Sequence, residues 1–129
     1  MAGTLRHEND GLTVQFDGAP GISVSAPATS ALDTLPESGA VVLGVRPEHI
    51  TTSPATGAPP DIDGFDVIVE LAEPLGHEQL LHLRVEGVSI IARGAPGVRP
   101  EPGSRIRVTV EHDRVHLFDA LSGVSLRRA

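Results

Sequence analysis

Residues 41–50 read Val41-Val42-Leu43-Gly44-Val45-Arg46-Pro47-Glu48-His49-Ile50, and the fold turns on this stretch. Val41 to Val45 is a short, almost wholly apolar run rich in β-branched residues, the composition of a buried strand. Gly44 within it leaves room for another backbone to come close. Pro47 ends the run, because it has no N–H to give a ladder and biases Arg46 toward an extended conformation. The strand therefore stops at a rigid corner that carries a guanidinium, a carboxylate and an imidazole, on Arg46, Glu48 and His49. Two readings of the corner stand side by side. In one it is structural, with Arg46 bonding carbonyls and Glu48 answering it; in the other it is a recognition surface.

Outward from the corner the chain is a succession of short alternating runs. On the N-terminal side, Gly3–His7 is extended and Glu8-Asn9-Asp10-Gly11 has the chemistry of a hairpin turn. Leu12, Val14 and Phe16 then share one face opposite Thr13 and Gln15. Asp17–Gly21 is a second turn, after which Ile22, Val24 and Ala26 alternate with Ser23 and Ser25. Ala28–Leu35 is the one place for a helical turn, but Pro27 and Pro36 bracket it and it is too short to be stable alone. On the other side, Thr51–Asp63 has three Pro and no periodicity, which predicts a surface loop. Phe65–Leu71 restarts the pattern, with Phe65, Val67, Val69 and Leu71 facing one way. Leu80–Val85, Val88–Arg93, Arg105–Glu111 and Val115–Phe118 follow, Phe118 being read as core, and Val124–Leu126 is a last extended piece. Short strands at spacings of roughly 8–12 residues, separated by turn signals, predict an all-β barrel or sandwich. The expected organisation is one β-domain over residues 1–129, with a strand set at 1–50, a loop at 51–63 and a second strand set at 64–129. One barrel with an elaboration and two small fused barrels both fit that pattern.

Composition narrows the function classes. All ten basic residues are Arg and the formal net charge is −7, so the dense cationic surface that nucleic-acid binding needs is missing. The three aromatic residues, Phe16, Phe65 and Phe118, do not make a base-stacking platform either. Without Cys there are no disulfides and no thiolate metal sites, a pattern that suits an intracellular setting. A phosphate-cradling loop needs a Lys, and the chain has none. His112 and His116 are four apart, but Asp113-Arg114 makes a turn between them, so no metal is assigned. No spacing argues for a catalytic triad or carboxylate pair, which leaves an enzyme as the weakest class.

Further motifs support the corner. They are V-E-L-A-E-P-L-G-H-E-Q-L-L at Val69–Leu81, I-I-A-R at Ile90–Arg93, Gly103 before an Arg/Val strand, and H-L-F-D-A-L-S-G-V-S-L at His116–Leu126. In this order they resemble the C-terminal regulatory region of ATP-binding subunits from sugar-type ABC importers of the maltose and trehalose class. The resemblance implies small OB-like barrels of TOBE or MOP type, with two intertwined sub-barrels among the arrangements it allows. It also implies a non-catalytic regulatory and dimerisation role, without a cofactor in this chain, ATP and Mg belonging to a nucleotide-binding domain outside it. Leu121–Ser125 echoes the ATPase signature but lacks its second Gly and its Gln, so Ser122-Gly123 is read as a turn.

The implied partners are a second copy, the nucleotide-binding domain and membrane subunits of an importer, and a regulatory protein or small sugar, with no nucleic acid. The implied location is cytoplasmic, against the inner face of the membrane, and a chain that enters strand-like alternation at once reads as cut from something longer. Candidate partner or dimer contacts under the resemblance are Arg46, Pro47, Glu48 and His49 at the corner, with Gly76, His77 and Glu78 at the later bend. The alternative from another class is a free-standing barrel for an oxyanion or small sugar, served by Ser23, Ser25 or Ser89.

Overall fold

Alternation of small apolar and polar residues becomes strand throughout. The computed structural model describes residues 1–8, 11–26, 35–36, 38–61, 64–94 and 99–126. Among them are β1 (Ala2–Glu8), β2 (Gly11–Phe16), β3 (Ala19–Ser25), β4 (Ala40–Gly44), β5 (Ile50–Pro54), β6 (Phe65–Pro74), β7 (Gln79–Val85), β8 (Val88–Gly94), β9 (Arg105–Val110) and β10 (His116–Asp119). They pair antiparallel in two five-stranded sheets, ordered β10-β4-β1-β2-β3 and β5-β9-β6-β7-β8. The second sheet curls until its edge strands β5 and β8 approach each other. The chain is thus all-β, of the small OB-like barrel type. No helix among the described residues is long and apolar enough to cross a membrane. The helical turn weighed for Ala28–Leu35 lies, apart from Leu35, outside the described residues, as does Asn9-Asp10 in the first hairpin turn.

The two strand sets do not divide at the predicted loop. The chain leaves the first sheet after β4, enters the second at β5, completes it with β9, and returns to the first as β10. The start of the segment read as a loop, Thr51–Asp63, is therefore strand: Ile50 to Pro54 pair with Val110 to Ile106. β5 is an edge strand with only Ile50 buried, so it carries no apolar alternation to announce it, and its terminal Pro54 is tolerated at an edge. Each passage between the sheets is a single 3-10 turn, Pro47–His49 going out and His112–Arg114 coming back. The two passages touch, the Glu111 N–H donating to the His49 carbonyl at 3.1 Å.

One apolar cluster joins both sheets. Phe16 of β2 and Phe65 of β6 meet edge to face at the centre, their ring centroids 6.2 Å apart. Three inward or close-packed assignments change. Leu71 is 51% exposed, because the β6–β7 register slips between Val69 and Leu71 and the extra residue turns it outward. In His116–Asp119 the fully buried side chain is Leu117, whereas Phe118 is only half-buried. Gly44 faces the Phe118 ring more closely than the paired β10 backbone: a Cβ there would sit 3.4 Å from Phe118 Cε2 and 3.9 Å from the His116 carbonyl oxygen. Close backbone approach occurs elsewhere, where the hairpin turns of the two sheets meet and the Gly87 N–H donates to the Gly18 carbonyl at 3.0 Å. A Cβ on Gly87 would lie 2.9 Å from that oxygen. Gly87→Ala is accordingly expected to lower stability by about 1–3 kcal/mol in thermal or urea unfolding; an unchanged midpoint would show that the two turns separate freely.

Candidate functional site

The corner is built by its proline. Arg46 is extended at φ −72° and ψ 145°, as a residue before proline must be, and Pro47 opens the 3-10 turn. The His49 N–H closes that turn on the Arg46 carbonyl at 2.9 Å. Backbone geometry thus leaves the Arg46 and Glu48 side chains on the surface, while the Nδ1 of half-buried His49 is buried with no hydrogen-bond partner among the described residues. The Arg46–Glu48 answer within the corner is loose, at 3.7 Å, with the Arg46 side chain 73% exposed.

The bend is the four-residue loop between β6 and β7. The Leu75 N–H donates to the Glu78 carbonyl at 2.7 Å, and Gly76 takes φ +82°, a conformation that costs a residue with a Cβ but not glycine. His77 is exposed at its tip.

Corner and bend are far apart in sequence, yet one residue links them. Arg93 of β8 places Nη2 3.0 Å from Glu48 Oε2 and Nε 2.9 Å from Glu78 Oε2. Strand register explains how. Leu80 of β7 is the cross-strand partner of Arg93, so the end of β8 runs beside the bend, and the 3-10 turn packs against β8. The result is a chain of alternating charge, Arg46–Glu48–Arg93–Glu78, that is neutral as a unit in a molecule of net charge −7. Arg93 ends the I-I-A-R motif, which by itself does not assign it to the site. Its outward position on β8 is legible from alternation; its partners depend on long-range register, which local sequence does not carry.

The Arg93, Glu48 and Glu78 side chains are between 35% and 45% exposed, so each pair contributes at most about 1 kcal/mol. Their effect is positional. They fix two carboxylates from separate loops on one surface beside a recess of about 310 Å³ whose lining includes Val45, Pro47, Ile50 and Ile91. The serines offered for an oxyanion do not converge. Ser23 and Ser25 lie on β3 of the first sheet and Ser89 on β8 of the second. His112 opens the returning 3-10 turn and His116 begins β10, both exposed.

Residues 43–118, which contain both loops and Arg93, match the family model described as TOBE domain. The sulfoquinovosyl glycerol transport ATP-binding protein SmoE of Agrobacterium fabrum is 38% identical over 90 residues, 67% of this chain and 23% of that protein. The sn-glycerol-3-phosphate import ATP-binding protein UgpC of Chromohalobacter salexigens is 36% identical over 104 residues, 78% of this chain and 26% of that protein. The trehalose/maltose import ATP-binding protein MalK of Thermococcus litoralis is 30% identical over 87 residues, 67% of this chain and 23% of that protein. The chain thus spans about a quarter of the length of these curated relatives. Among solved structures, the cytoplasmic molybdate-binding protein ModG, in a form with molybdate bound, matches with a TM-score of 0.69 and 16% identity over 95% of this chain and 93% of that one. At that identity the likeness concerns the fold.

Proposed function

Since this chain belongs to the TOBE domain family, we propose that it is the non-catalytic, C-terminal regulatory and pairing module of the ATP-binding subunit of a carbohydrate importer. The observation that carries this reading is the Arg46–Glu48–Arg93–Glu78 network, which makes one continuous surface from the two segments expected to touch partners. The partners of that surface are a second copy of the module, the nucleotide-binding domain it is attached to, and a regulatory protein or small sugar. On this reading the module works at the inner face of the membrane as part of the transporter complex, and ATP and Mg are bound by the nucleotide-binding domain.

Its mechanism is linkage. A partner that binds one arrangement of paired modules more tightly than another shifts the open–closed equilibrium of the attached motor by that difference in affinity, and by no more. A fixed surface suits this role, because energy is not spent ordering two independent loops when the partner arrives.

The test separates contact from stability. Arg93→Gln removes the link and is expected to change the melting temperature little, since the pairs it breaks are half-exposed. Association measured by sedimentation equilibrium should weaken several-fold in the same variant. Unchanged association with an unchanged midpoint sinks the contact reading, and a large loss of stability makes the network structural. The ModG-like fold supports a second reading, a small-ligand barrel. It predicts a rise in melting temperature with a saturating sugar or oxyanion, as mass action requires.

A further inference from the structure

The outer face of the second sheet holds a groove that the corner and bend do not use. Ile68 of β6 is the cross-strand partner of Arg105 on β9 and of Arg84 on β7, so two guanidinium-bearing residues stand side by side on that face with one aliphatic side chain between them. Adjacent strands lie about 4.8 Å apart, which puts the two arginine backbones roughly 10 Å from each other, a span their side chains can close over a small ligand. The groove they flank has a volume of about 500 Å³, and Val85 adds to its apolar floor.

The charges in the groove are not equally free. Asp66 is occupied through both oxygens, Oδ1 by Arg107 at 3.2 Å and Oδ2 by the Gly57 N–H at 3.1 Å. Glu70 takes only the Nε of Arg84, at 3.0 Å. That contact holds the Arg84 side chain in place while leaving both its terminal nitrogens to donate. Arg105 has no hydrogen bond or ion pair to any described residue, and neither does Glu86. Glu86 stands on the β7–β8 turn at φ +49°, a conformation rare outside glycine, and lines the same groove.

We propose that this groove binds a small polyol carrying a phosphate or sulfonate group. The anionic group is held between Arg84 and Arg105, where planar guanidinium forks match its oxygens. The carbon chain lies over Ile68 and Val85, and hydroxyls donate to the Glu86 carboxylate, an acceptor with no competing partner. Glu86 repels any anion, and one without hydroxyls has no hydrogen bonds to the carboxylate to offset that repulsion. A neutral polyol gains nothing from the arginines. The site therefore selects for both features together, and its lining shares no residue with the Arg93 network, which lies further along the same sheet.

Calorimetric titration and amide chemical-shift mapping of the intact chain test this, with glycerol 3-phosphate, inorganic phosphate and glycerol as probes. Glycerol 3-phosphate is expected to bind, shifting amides of β6, β7 and β9, and to bind several-fold more tightly than inorganic phosphate; glycerol should not bind. Arg105→Gln should weaken glycerol 3-phosphate at least roughly tenfold. Glu86→Gln should weaken glycerol 3-phosphate but not inorganic phosphate. Both positions are exposed surface sites, so the variants should fold normally. Equal binding by the Arg105 variant, shifts confined to another face, no preference over inorganic phosphate, or no binding by the wild-type chain would each overturn the proposal.

Discussion

Replacing Arg107 by methionine is expected to cost about 3–5 kcal/mol of unfolding free energy, the loss found when one member of a buried ion pair is removed. The Arg107 and Asp66 side chains are each only 12% exposed, so methionine would leave the Asp66 carboxylate with its charge and without its cation. More than the pair is at stake. The Arg107 terminal nitrogens also donate to the carbonyls of Ala58 at 3.3 Å, Pro59 at 3.5 Å and Gly64 at 2.9 Å, holding down a segment with no strand partners for most of its length. The Gly64 carbonyl also accepts from the Asp61 N–H at 3.0 Å, but those of Ala58 and Pro59 have no ladder to turn to when the fork is gone. Adding Asp66→Asn to the methionine variant neutralises the stranded charge while keeping an oxygen for the Gly57 N–H, and should recover at least about 1 kcal/mol. Urea unfolding of both variants measures this. A single-variant loss below about 0.5 kcal/mol would contradict it, and a double variant no better than the single one would assign the cost to the carbonyls instead of the charge.

The contrast with Arg93 shows why magnitude and role diverge in this fold. Arg93 makes shorter ion pairs than Arg107 does, yet they sit in water-accessible surroundings and stabilise little. Arg107 is a fastener of the barrel; Arg93 is an organiser of its surface.

What the sequence made legible follows the same physics. Strands with one buried face announce themselves by alternation, so β2, β7 and β8 could be drawn nearly to their ends, whereas β3 begins at Ala19, inside the segment read as a turn. The Pro47 corner was legible because proline restricts its own backbone and its neighbour's whatever the tertiary context. β5 was missed because an exposed edge strand of Thr, Thr and Ser has no apolar face to display. The return of β10 to the first sheet was hidden because pairing between strands distant in sequence leaves no local trace. Leu71 was placed inward because strict period two cannot foresee the extra residue of a bulge. At the site, both loops were visible as motifs, while their union was not. It needs the β7–β8 register to bring Arg93 alongside Glu78, and the 3-10 turn against β8 to bring it alongside Glu48. His77, equally prominent in sequence, stands exposed at the tip of its loop.

Phe65→Ala carries the other large expected effect, about 3–5 kcal/mol by loss of transfer energy and the cavity left behind. Phe65 and Phe16 are each 1% exposed and come from different sheets, so their contact is where the sheets are fastened. Phe16→Ala should cost a similar amount. The double variant should show a coupling of roughly 0.5–1.5 kcal/mol, as for an edge-to-face aromatic pair. The shape of the transition matters as much as its midpoint. If the sheets share one core, the wild type and both variants unfold in a single transition seen identically by different probes. A second transition in either variant would mean that the sheets fold independently and are merely tethered. That outcome would also weaken the linkage mechanism, because the corner lies on the outgoing passage between the sheets. It can report a partner's binding to the rest of the barrel only if the sheets move as one body. A single transition together with a measurable Phe16–Phe65 coupling supplies the mechanical connection that such a regulatory module requires.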